Sequence, residues 1–398
     1  MPVLFILLTS LASTAVMARE LRADPATGRV RVLYVGDAMG IPNPFPILNQ
    51  EPSLYTTAVY ACTHHQTIEQ IKKSLRSYMP RTYTRFLNHD VVILSDANRK
   101  AFSGKQLSWM KKGVVEDGQG LVMIGGAESF VAGGGASSWR PTEVADVLPC
   151  DMLPNPPPPI QPKGRARLIL ELERGCLKVN DPDDIFVRSL PFEEVSNYAL
   201  YPSGGSVLQR RPFLMWWDIA EGRSMAQSGD WTPAAGTTFM GWEYYPDYCI
   251  NMMLFLAGLH LPEDLEMTHL LRRRMMESKE GIDTLYAMSD MIDRLGGNTE
   301  SLNRMVIGIA AKRKEAVRLY VEAQPEEALD VFDSVLAMCE DTMDEALRVR
   351  DRASFWIFFT EWCVVTGTFM FAGGILWMLM IRRRLFKEVE YTRAKSRI

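Results

Sequence analysis

The sequence predicts an α/β domain with a parallel sheet, followed by a helical stalk and one C-terminal transmembrane helix. Three features of the chain predict this arrangement. Apolar runs that end in Gly, Asp or Ser alternate with helical spacing over residues 29–124, as strands and helices do in a parallel sheet. Glycine becomes rare and helix formers dominate over residues 263–352. Residues 362–381 carry no charge, and three arginines follow them directly.

The composition is that of a packed domain, with 47% hydrophobic and 23% charged residues in a chain of 398. These proportions exclude a wholly disordered chain, a collagen and a coiled-coil rod. The mean hydropathy of −0.07 leaves room for one or two membrane spans but not for many. The net charge of −4 argues against a nucleic-acid-binding protein, which would carry a basic surface.

The α/β domain is assigned to residues 29–262. Its strands are predicted from short apolar runs stopped by turn residues, and its helices from apolar residues that recur every three or four positions. The predicted strands cover residues 29–34, 90–94, 121–124, 167–172, 213–217 and 224–226 and include Phe239. The predicted helices cover residues 67–78, 103–115 and 248–261.

Residues 263–352 are predicted to form a helical stalk or small bundle. Two helices cover about residues 263–295 and 299–323, and Pro325 fits the first turn of a third helix. A single tetratricopeptide-type helix pair over residues 320–340 is an alternative. The third helix carries a packing seam, which also favours a homo-oligomer or a partner protein on the stalk as an alternative. The seam residues are Leu329, Phe332, Leu336, Cys339, Met343 and Ala346.

Residues 356–381 are assigned to a transmembrane helix whose partner is membrane lipid. Its uncharged part is long enough to span about 30 Å, the thickness of the hydrocarbon layer. Trp356, Trp362 and Trp377 lie near the ends, where indole rings favour the interface. The basic tail, residues 382–398, is placed in the cytoplasm by the positive-inside rule. The body is therefore expected outside the cytoplasm at the cell membrane, and a buried helix of a soluble protein is the alternative.

Residues 1–18 resemble a secretory signal peptide. Residues 3–16 are mostly apolar, and Val16-Met17-Ala18 is similar to a small-residue cleavage site. No basic side chain precedes the apolar stretch, so an uncleaved N-terminal anchor is the alternative. Either interpretation places the body outside the cytoplasm.

Ligand-binding residues are expected where the predicted strands end, because ligands of parallel α/β sheets bind at the carboxyl edge. Glycines there allow close approach of a ligand to the backbone, and the aromatic-rich residues 216–248 offer rings that stack on sugars or pack in a core. Helix capping and turn formation are the alternative roles of the Asp and Gly residues. The candidates are Asp37, Asp96, Gly125, Gly126, Glu128, Ser129, Asp230 and Trp231.

The chain shows no motif for a metal, a nucleotide or calcium, so no metal and no cofactor are expected. The neighbouring His64 and His65 lack a carboxylate in a recognisable motif, and no CxxC pair or Cys/His spacing typical of a metal site occurs. The cysteines of the body are odd in number and widely spaced, so they predict no disulfide framework.

The segments DVVILSDAN (residues 90–98) and GQGLVMIGGAESFVAGGG (residues 118–135) resemble the class I glutamine-amidotransferase-like fold, which has a flavodoxin-like parallel sheet. GRSMAQSGDWTP (residues 222–233) and WEYYPDYCINMMLFLAG (residues 242–258) add to this resemblance. Together they look like the uncharacterised "putative glutamine amidotransferase" domains of bacterial and archaeal membrane proteins. The resemblance covers residues 29–261 and implies the same fold for this domain.

The resemblance also implies where a catalytic cysteine would stand, at the sharp turn after the strand at residues 121–124. Gly126 or Ala127 occupies that place, and neither can attack as a thiolate. No histidine stands near residues 232–235, where a partner base is expected. We therefore expect no glutaminase chemistry.

The leading hypothesis is a membrane-anchored, catalytically degenerate domain that binds a small molecule, a sugar or a partner protein outside the cytoplasm. One alternative is a hydrolase or amidase that uses Ser129, or an unrecognised site with Glu128 or Asp230. A second alternative is a structural homo-oligomer assembled through the stalk.

Overall fold

A computed structural model describes residues 28–38, 42–131, 138–153, 160–173, 176–179, 211–232 and 240–395. The chain divides into two compact units, Met1–Arg272 and Arg273–Ile398. The signal peptide or anchor predicted for residues 1–18 and the strand predicted at Phe239 lie outside the described residues.

The first unit contains an eight-stranded, mainly parallel sheet, which confirms the predicted fold class. The strands are β1 Val30–Gly36, β2 Leu54–Tyr60, β3 Val91–Ser95, β4 Gly120–Ile124, β5 Cys150–Met152, β6 Ile160–Pro162, β7 Arg167–Glu173, β8 Cys176–Val179, β9 Arg211–Ile219 and β10 Gly222–Gln227. Their order in the sheet is β2-β1-β3-β4-β10-β9-β7-β8, and β5 pairs with β6 separately. The first five strands in that order are parallel, whereas β9, β7 and β8 pair antiparallel.

Strand β2 is one of several elements that the sequence did not predict, along with β5, β6, β8 and the short helices at Phe45–Gln50, Tyr83–Phe86 and Glu143–Val147. Its sequence, LYTTAVY, lies beside β1 at the end of the strand order, where Tyr55 is exposed and Leu54 is buried. An outer strand needs apolar side chains on fewer positions than a central one, so its run is less apolar than that of β1 or β3. This strand delivers the segment that follows it, residues 61–65, to the carboxyl edge of the sheet.

Helices cover both faces of the sheet, which is why the central strands are almost continuously apolar. On one face, Tyr34 and Ile93 belong to the same core as Tyr248, which lies on the helix at Tyr245–Leu256. On the other face, Leu33 and Val92 share a core with Ile71 and Leu107, which lie on the helices at Ile68–Tyr78 and Gly104–Val115. In the part of this unit that the structure describes, the α-helices up to residue 256 are α1 Phe45–Gln50, α2 Ile68–Tyr78, α3 Tyr83–Phe86, α4 Gly104–Val115, α5 Glu143–Val147 and α6 Tyr245–Leu256.

The two longest helices between β2 and β4 begin as their sequences predict. Thr67 accepts the N–H of Gln70 while the Gln70 side chain returns to the cap, so a complete capping box starts α2. Ser103 and Gln106 form the same box at the start of α4. These caps fix where each helix begins and therefore how far the preceding strand-end loop extends.

Long helices follow the sheet domain, as predicted: α7 Leu265–Arg294, α8 Glu300–Val321 and α9 Pro325–Lys395. In the second unit, Leu285 of α7, Val306 and Ile309 of α8, and Val335 and Cys339 of α9 form one buried cluster. The buried side of α9 is rotated from the predicted seam. Phe332, Cys339 and Ala346 are buried as expected, whereas Val335 is buried in place of Leu336. The bundle thus buries this side of α9 within one chain.

Helix α9 is unbroken from Pro325 to Lys395, so the third predicted helix of the stalk and the predicted membrane span form one helix. Its stretch Pro325–Phe386 contains a window of mean hydropathy 1.9, none of which is buried. This is one helix long and apolar enough to cross a membrane. Its large exposed side chains include Trp362, Phe369 and Trp377.

Candidate functional site

Five parallel strands end in one line at the carboxyl edge of the sheet. The register pairs Gly36 with both Tyr60 and Ser95, Ser95 with Ile124, and Ile124 with Gln227. The loops that leave these strands carry all of the candidate residues, in the position where parallel sheets bind ligands. Cys62 and His64, which follow β2, join them there.

Asp96 is buried and directs its two carboxylate oxygens to different partners. Oδ1 accepts the backbone N–H of Glu128 at 2.5 Å. Oδ2 lies 3.3 Å from Nδ1 of His64 and 3.6 Å from Sγ of Cys62. The backbone of Asp96 has a φ of +50°, a left-handed conformation that Asp adopts more readily than most residues. Burial raises the pKa of this carboxyl, because desolvation disfavours its charged form.

Cys62 is fully buried two residues beyond the end of β2. Its Sγ lies 2.5 Å from Nδ1 of His64. Burial raises the pKa of the thiol well above its ordinary value, so the thiol is a poor source of thiolate for nucleophilic attack. The side chain of His64 is 40% exposed, and the cluster therefore opens to solvent on the histidine side.

The same ring nitrogen of His64 faces both Cys62 and Asp96. In a triad of nucleophile, histidine and carboxylate, the nucleophile and the carboxylate contact opposite ring nitrogens. Because both partners lie at Nδ1, His64 cannot pass a proton from one side while the carboxylate holds the other. The ligand-type atoms of the three residues instead lie within 4.8 Å of one another around one point.

Glu128 holds the segment that carries Cys62 and His64. Its Oε2 accepts the N–H of Thr63 at 2.9 Å, and its Oε1 accepts the Thr63 hydroxyl. Oε1 also accepts Nδ2 of Asn98 at 3.0 Å. Glu128 is itself buried, so these hydrogen bonds compensate a carboxylate that has lost its hydration. The predicted ligand residue Glu128 thus positions the loop after β2.

Gly126 and Ala127 are the two residues at which the family resemblance would place a catalytic cysteine, and the structure leaves no room for a side chain at Gly126. A Cβ at this position would lie 2.6 Å from Oδ1 of Asp96 and 2.7 Å from its Cγ. Gly125 is similarly enclosed, since its Cβ would lie 2.1 Å from the carbonyl oxygen of Ser228. In the turn after β4, the Asp96 carboxylate therefore occupies the space that a side chain at Gly126 would need.

Asp37 is buried and only partly partnered. The Tyr34 hydroxyl donates to its Oδ1 at 2.7 Å, whereas its Oδ2 has no hydrogen-bond partner in the described part of the chain. Burial raises the pKa of Asp37 from its ordinary value of 3.8 to about 7, and the nearby charges of Asp230 and Asp96 add to the shift.

Trp231 and Asp230 have structural partners. The Trp231 ring is fully buried, stacks on Tyr34 with a centroid distance of 5.9 Å, and donates Nε1 to Oγ of Ser95 at 2.7 Å. Its face is therefore not available to a sugar, and core packing is its role. Asp230 accepts the N–H of Thr232 at 2.9 Å and its hydroxyl at 2.7 Å, which forms a local turn.

Ser129 is buried, and its N–H contacts the carbonyl oxygen of Gly126 at 3.4 Å. Among the hydrogen bonds of the described residues, none joins its hydroxyl to a histidine. The serine-hydrolase alternative thus remains a prediction whose base has not been found in this part of the chain.

A separate groove of about 720 Å³ lies between α2 and the start of α4. No predicted site residue lines it. Its charged lining residues are Lys72, Arg76, Arg81, Lys100 and Lys105. This groove is thus basic, whereas the carboxyl edge is acidic.

The fold agrees with the comparison with protein families. Residues 63–258 match the family described as "Putative glutamine amidotransferase". The α/β domain of this chain belongs to that family. No curated protein matches the chain.

Two solved structures from Salmonella resemble this domain. "Cytoplasmic Protein STM1381 from Salmonella typhimurium LT2" is 17% identical, with a TM-score of 0.40 over 57% of this chain and 99% of its own. "Cytoplasmic Protein STM3548 from Salmonella typhimurium" is 18% identical, with a TM-score of 0.41 over the same shares.

The cluster of Cys62, His64 and Asp96 was not predicted from the sequence. No carboxylate stands near His64 in the sequence, since Asp96 lies 32 positions further along the chain and reaches it only through the pairing of β2, β1 and β3. The available signal was β2 itself. Once LYTTAVY is recognised as a strand, Cys62-Thr63-His64 falls at the same carboxyl edge as Asp96.

Proposed function

We propose that this protein is a membrane-anchored, noncatalytic member of its family whose α/β domain binds a ligand or partner outside the cytoplasm. The observation that carries the proposal is the contact between Gly126 and Asp96. Gly126, one of the two residues at the family's nucleophile position, has neither a side chain nor space for one, because the carboxylate occupies that space, and the other, Ala127, carries no nucleophilic group. Without a nucleophile at this turn, the amide bond of glutamine cannot be attacked there.

The nearby Cys62 does not replace the missing nucleophile. It is fully buried, and its raised thiol pKa disfavours the thiolate. In addition, the thiol and the Asp96 carboxylate both contact Nδ1 of His64, so the histidine is not placed to act as a base between them. What the edge retains is a set of buried polar groups that meet beside one exposed side chain. Such an arrangement supports binding rather than acyl transfer.

The membrane anchor is supported by the exposed apolar surface of α9. Side chains that cannot be covered by the bundle require lipid or another apolar partner. The three arginines at residues 382–384 follow this surface and favour a cytoplasmic C-terminus.

The glutaminase question is tested with the purified full-length chain in detergent. We expect no glutamine-dependent release of ammonia above a protein-free blank, in wild type and in Cys62→Ser alike. Ammonia release that Cys62→Ser or Ser129→Ala abolishes would overturn the noncatalytic assignment.

The topology is tested separately with C-terminal fusions in a bacterial host. A green fluorescent protein fusion should fluoresce, and an alkaline phosphatase fusion should be inactive, because the tail is assigned to the cytoplasm. The reverse pattern would place the body in the cytoplasm and contradict the proposed location.

A further inference from the structure

We propose that Cys62, His64 and Asp96 bind a divalent transition-metal ion of the zinc class, with one coordination position left for water or a ligand. The inference rests on the proposed binding function, since it names the class of ligand taken at the same edge of the sheet.

The donor atoms select the class of metal. A sulfur, an imidazole nitrogen and a carboxylate oxygen are all ligands of Zn²⁺, which accepts mixed sets of this kind. Calcium and magnesium prefer oxygen alone, so the buried Cys62 argues against them. Three protein ligands are the number found in zinc sites that keep one position open.

The distances between the donor atoms fit a tetrahedral ion. Bond lengths of roughly 2.0–2.3 Å to Zn²⁺ place tetrahedral ligand atoms of these types about 3.3–3.6 Å apart. Sγ of Cys62 lies 3.6 Å and Nδ1 of His64 lies 3.3 Å from Oδ2 of Asp96. The third separation, Sγ to Nδ1, is 2.5 Å and must open by about 1 Å. His64 can supply that movement because its side chain is partly exposed.

The surrounding groups orient the ligands as the outer shell of a metal site does. The N–H of Glu128 holds Oδ1 of Asp96 and leaves Oδ2 for the ion. The Glu128 carboxylate accepts hydrogen bonds from the N–H and the hydroxyl of Thr63, the residue between Cys62 and His64. Gly126 provides the space in which the Asp96 carboxylate sits.

The direct test measures zinc bound by the full-length chain in detergent. The protein is stripped with a chelator, kept reduced, and dialysed against buffered Zn²⁺. We expect one zinc per chain. Cys62→Ser, His64→Ala and Asp96→Asn should each weaken binding by more than the roughly 10- to 100-fold that loss of an outer-shell partner costs. Co²⁺ should give the absorption of a tetrahedral, thiolate-bound ion, which Cys62→Ser removes.

Matched variants separate the site from general effects. His65→Ala and Cys150→Ser alter residues of the same types outside the cluster and should leave the zinc content unchanged. Gly126→Ala removes no ligand but displaces Asp96, so it should also weaken binding, whereas Gly104→Ala, with nothing within 4 Å of its added Cβ, should not. Thermal unfolding of each metal-free variant shows whether it is folded.

Zinc binding that persists at wild-type affinity in Cys62→Ser and Asp96→Asn would overturn the inference, and so would a folded wild type that binds no zinc. Neither result affects the proposed noncatalytic function, which fails instead if glutamine is hydrolysed. If the protein hydrolyses glutamine while zinc is bound at the three residues, the zinc site is supported and the proposed noncatalytic function is wrong.

Discussion

Arg272 donates from Nη1 to Oδ1 of Asp247 at 2.8 Å, in a place where both side chains are almost completely buried. The same guanidinium contacts Oε2 of Glu51 at 3.3 Å and Oδ1 of Asn251 at 3.0 Å. His269 contacts the other oxygen of Asp247 at 2.7 Å. One buried cation thus ties the end of α1, the helix α6 and the start of α7 together inside the first unit.

Removing this cation should destabilise the first unit strongly. Arg272→Ala leaves the Asp247 and Glu51 carboxylates buried without the Arg272 cation, which costs about 3–5 kcal/mol. Arg273→Ala is the control, because its ion pair with Glu277 is half exposed and should be worth less than about 1 kcal/mol. Thermal unfolding followed by tryptophan fluorescence measures both changes. Equal shifts for the two variants would contradict the role of the buried network.

Asp37 should make the protein less stable as the pH rises. Its carboxyl has a pKa of about 7 in the folded chain and an ordinary value of 3.8, so the folded chain holds the proton more tightly. The proton therefore stabilises the fold below about pH 4, and this contribution is lost progressively up to about pH 7.

Asp37→Asn removes this dependence and keeps an acceptor for the Tyr34 hydroxyl. The stability of the variant relative to wild type should rise as the pH increases from about 4 to about 7. Above about pH 7 the difference should stay constant, at no more than about 4 kcal/mol. Unfolding midpoints in chelator at pH 4, 6 and 8 give the difference. A difference that does not change with pH would show that Asp37 does not titrate as stated.

The helical bundle should depend on contacts within one chain. Leu285 is fully buried with Val306, Ile309 and Val335, so Leu285→Ala should cost about 2–5 kcal/mol. Ile307→Ala, on the exposed side of α8, should have little effect. The molecular mass in detergent should be the same for both variants. A lower mass for Leu285→Ala alone would favour the predicted homo-oligomer.

A charge in the apolar part of α9 should release the protein from membranes. Met370→Arg places an arginine near the middle of the segment, at an insertion cost of about 2.5–3.5 kcal/mol. Ile307→Arg adds the same charge to an exposed position of α8 and serves as control. The fraction that stays with membranes after alkaline carbonate washing should fall only for Met370→Arg. An unchanged fraction would contradict the membrane assignment of this segment.

The parallel core of the fold was predictable because its central strands are covered on both faces. The runs at β1, β3 and β4 are almost purely apolar, and each ends at Gly, Asp or Ser. Strand β2 carries exposed and half-buried Tyr and Thr, so its pattern does not stand out from a loop.

The candidate site was predictable in its location but not in its chemistry. The rule for parallel sheets places Asp37, Asp96 and Glu128 at one edge. Asp96 is the one that faces a thiol, and Trp231 turns into the core. Both facts depend on side-chain directions after strands that lie far apart in the sequence. Local spacing holds no information about such contacts.

Continuity of α9 has a mechanical consequence. At roughly 1.5 Å per residue, its 71 residues form a rod of about 105 Å that no loop interrupts. An axial twist applied to the apolar part is transmitted along the backbone hydrogen bonds to Val335 and Cys339, which pack against two other helices. Torque on the apolar end of this helix therefore reaches the bundle with no flexible joint in between.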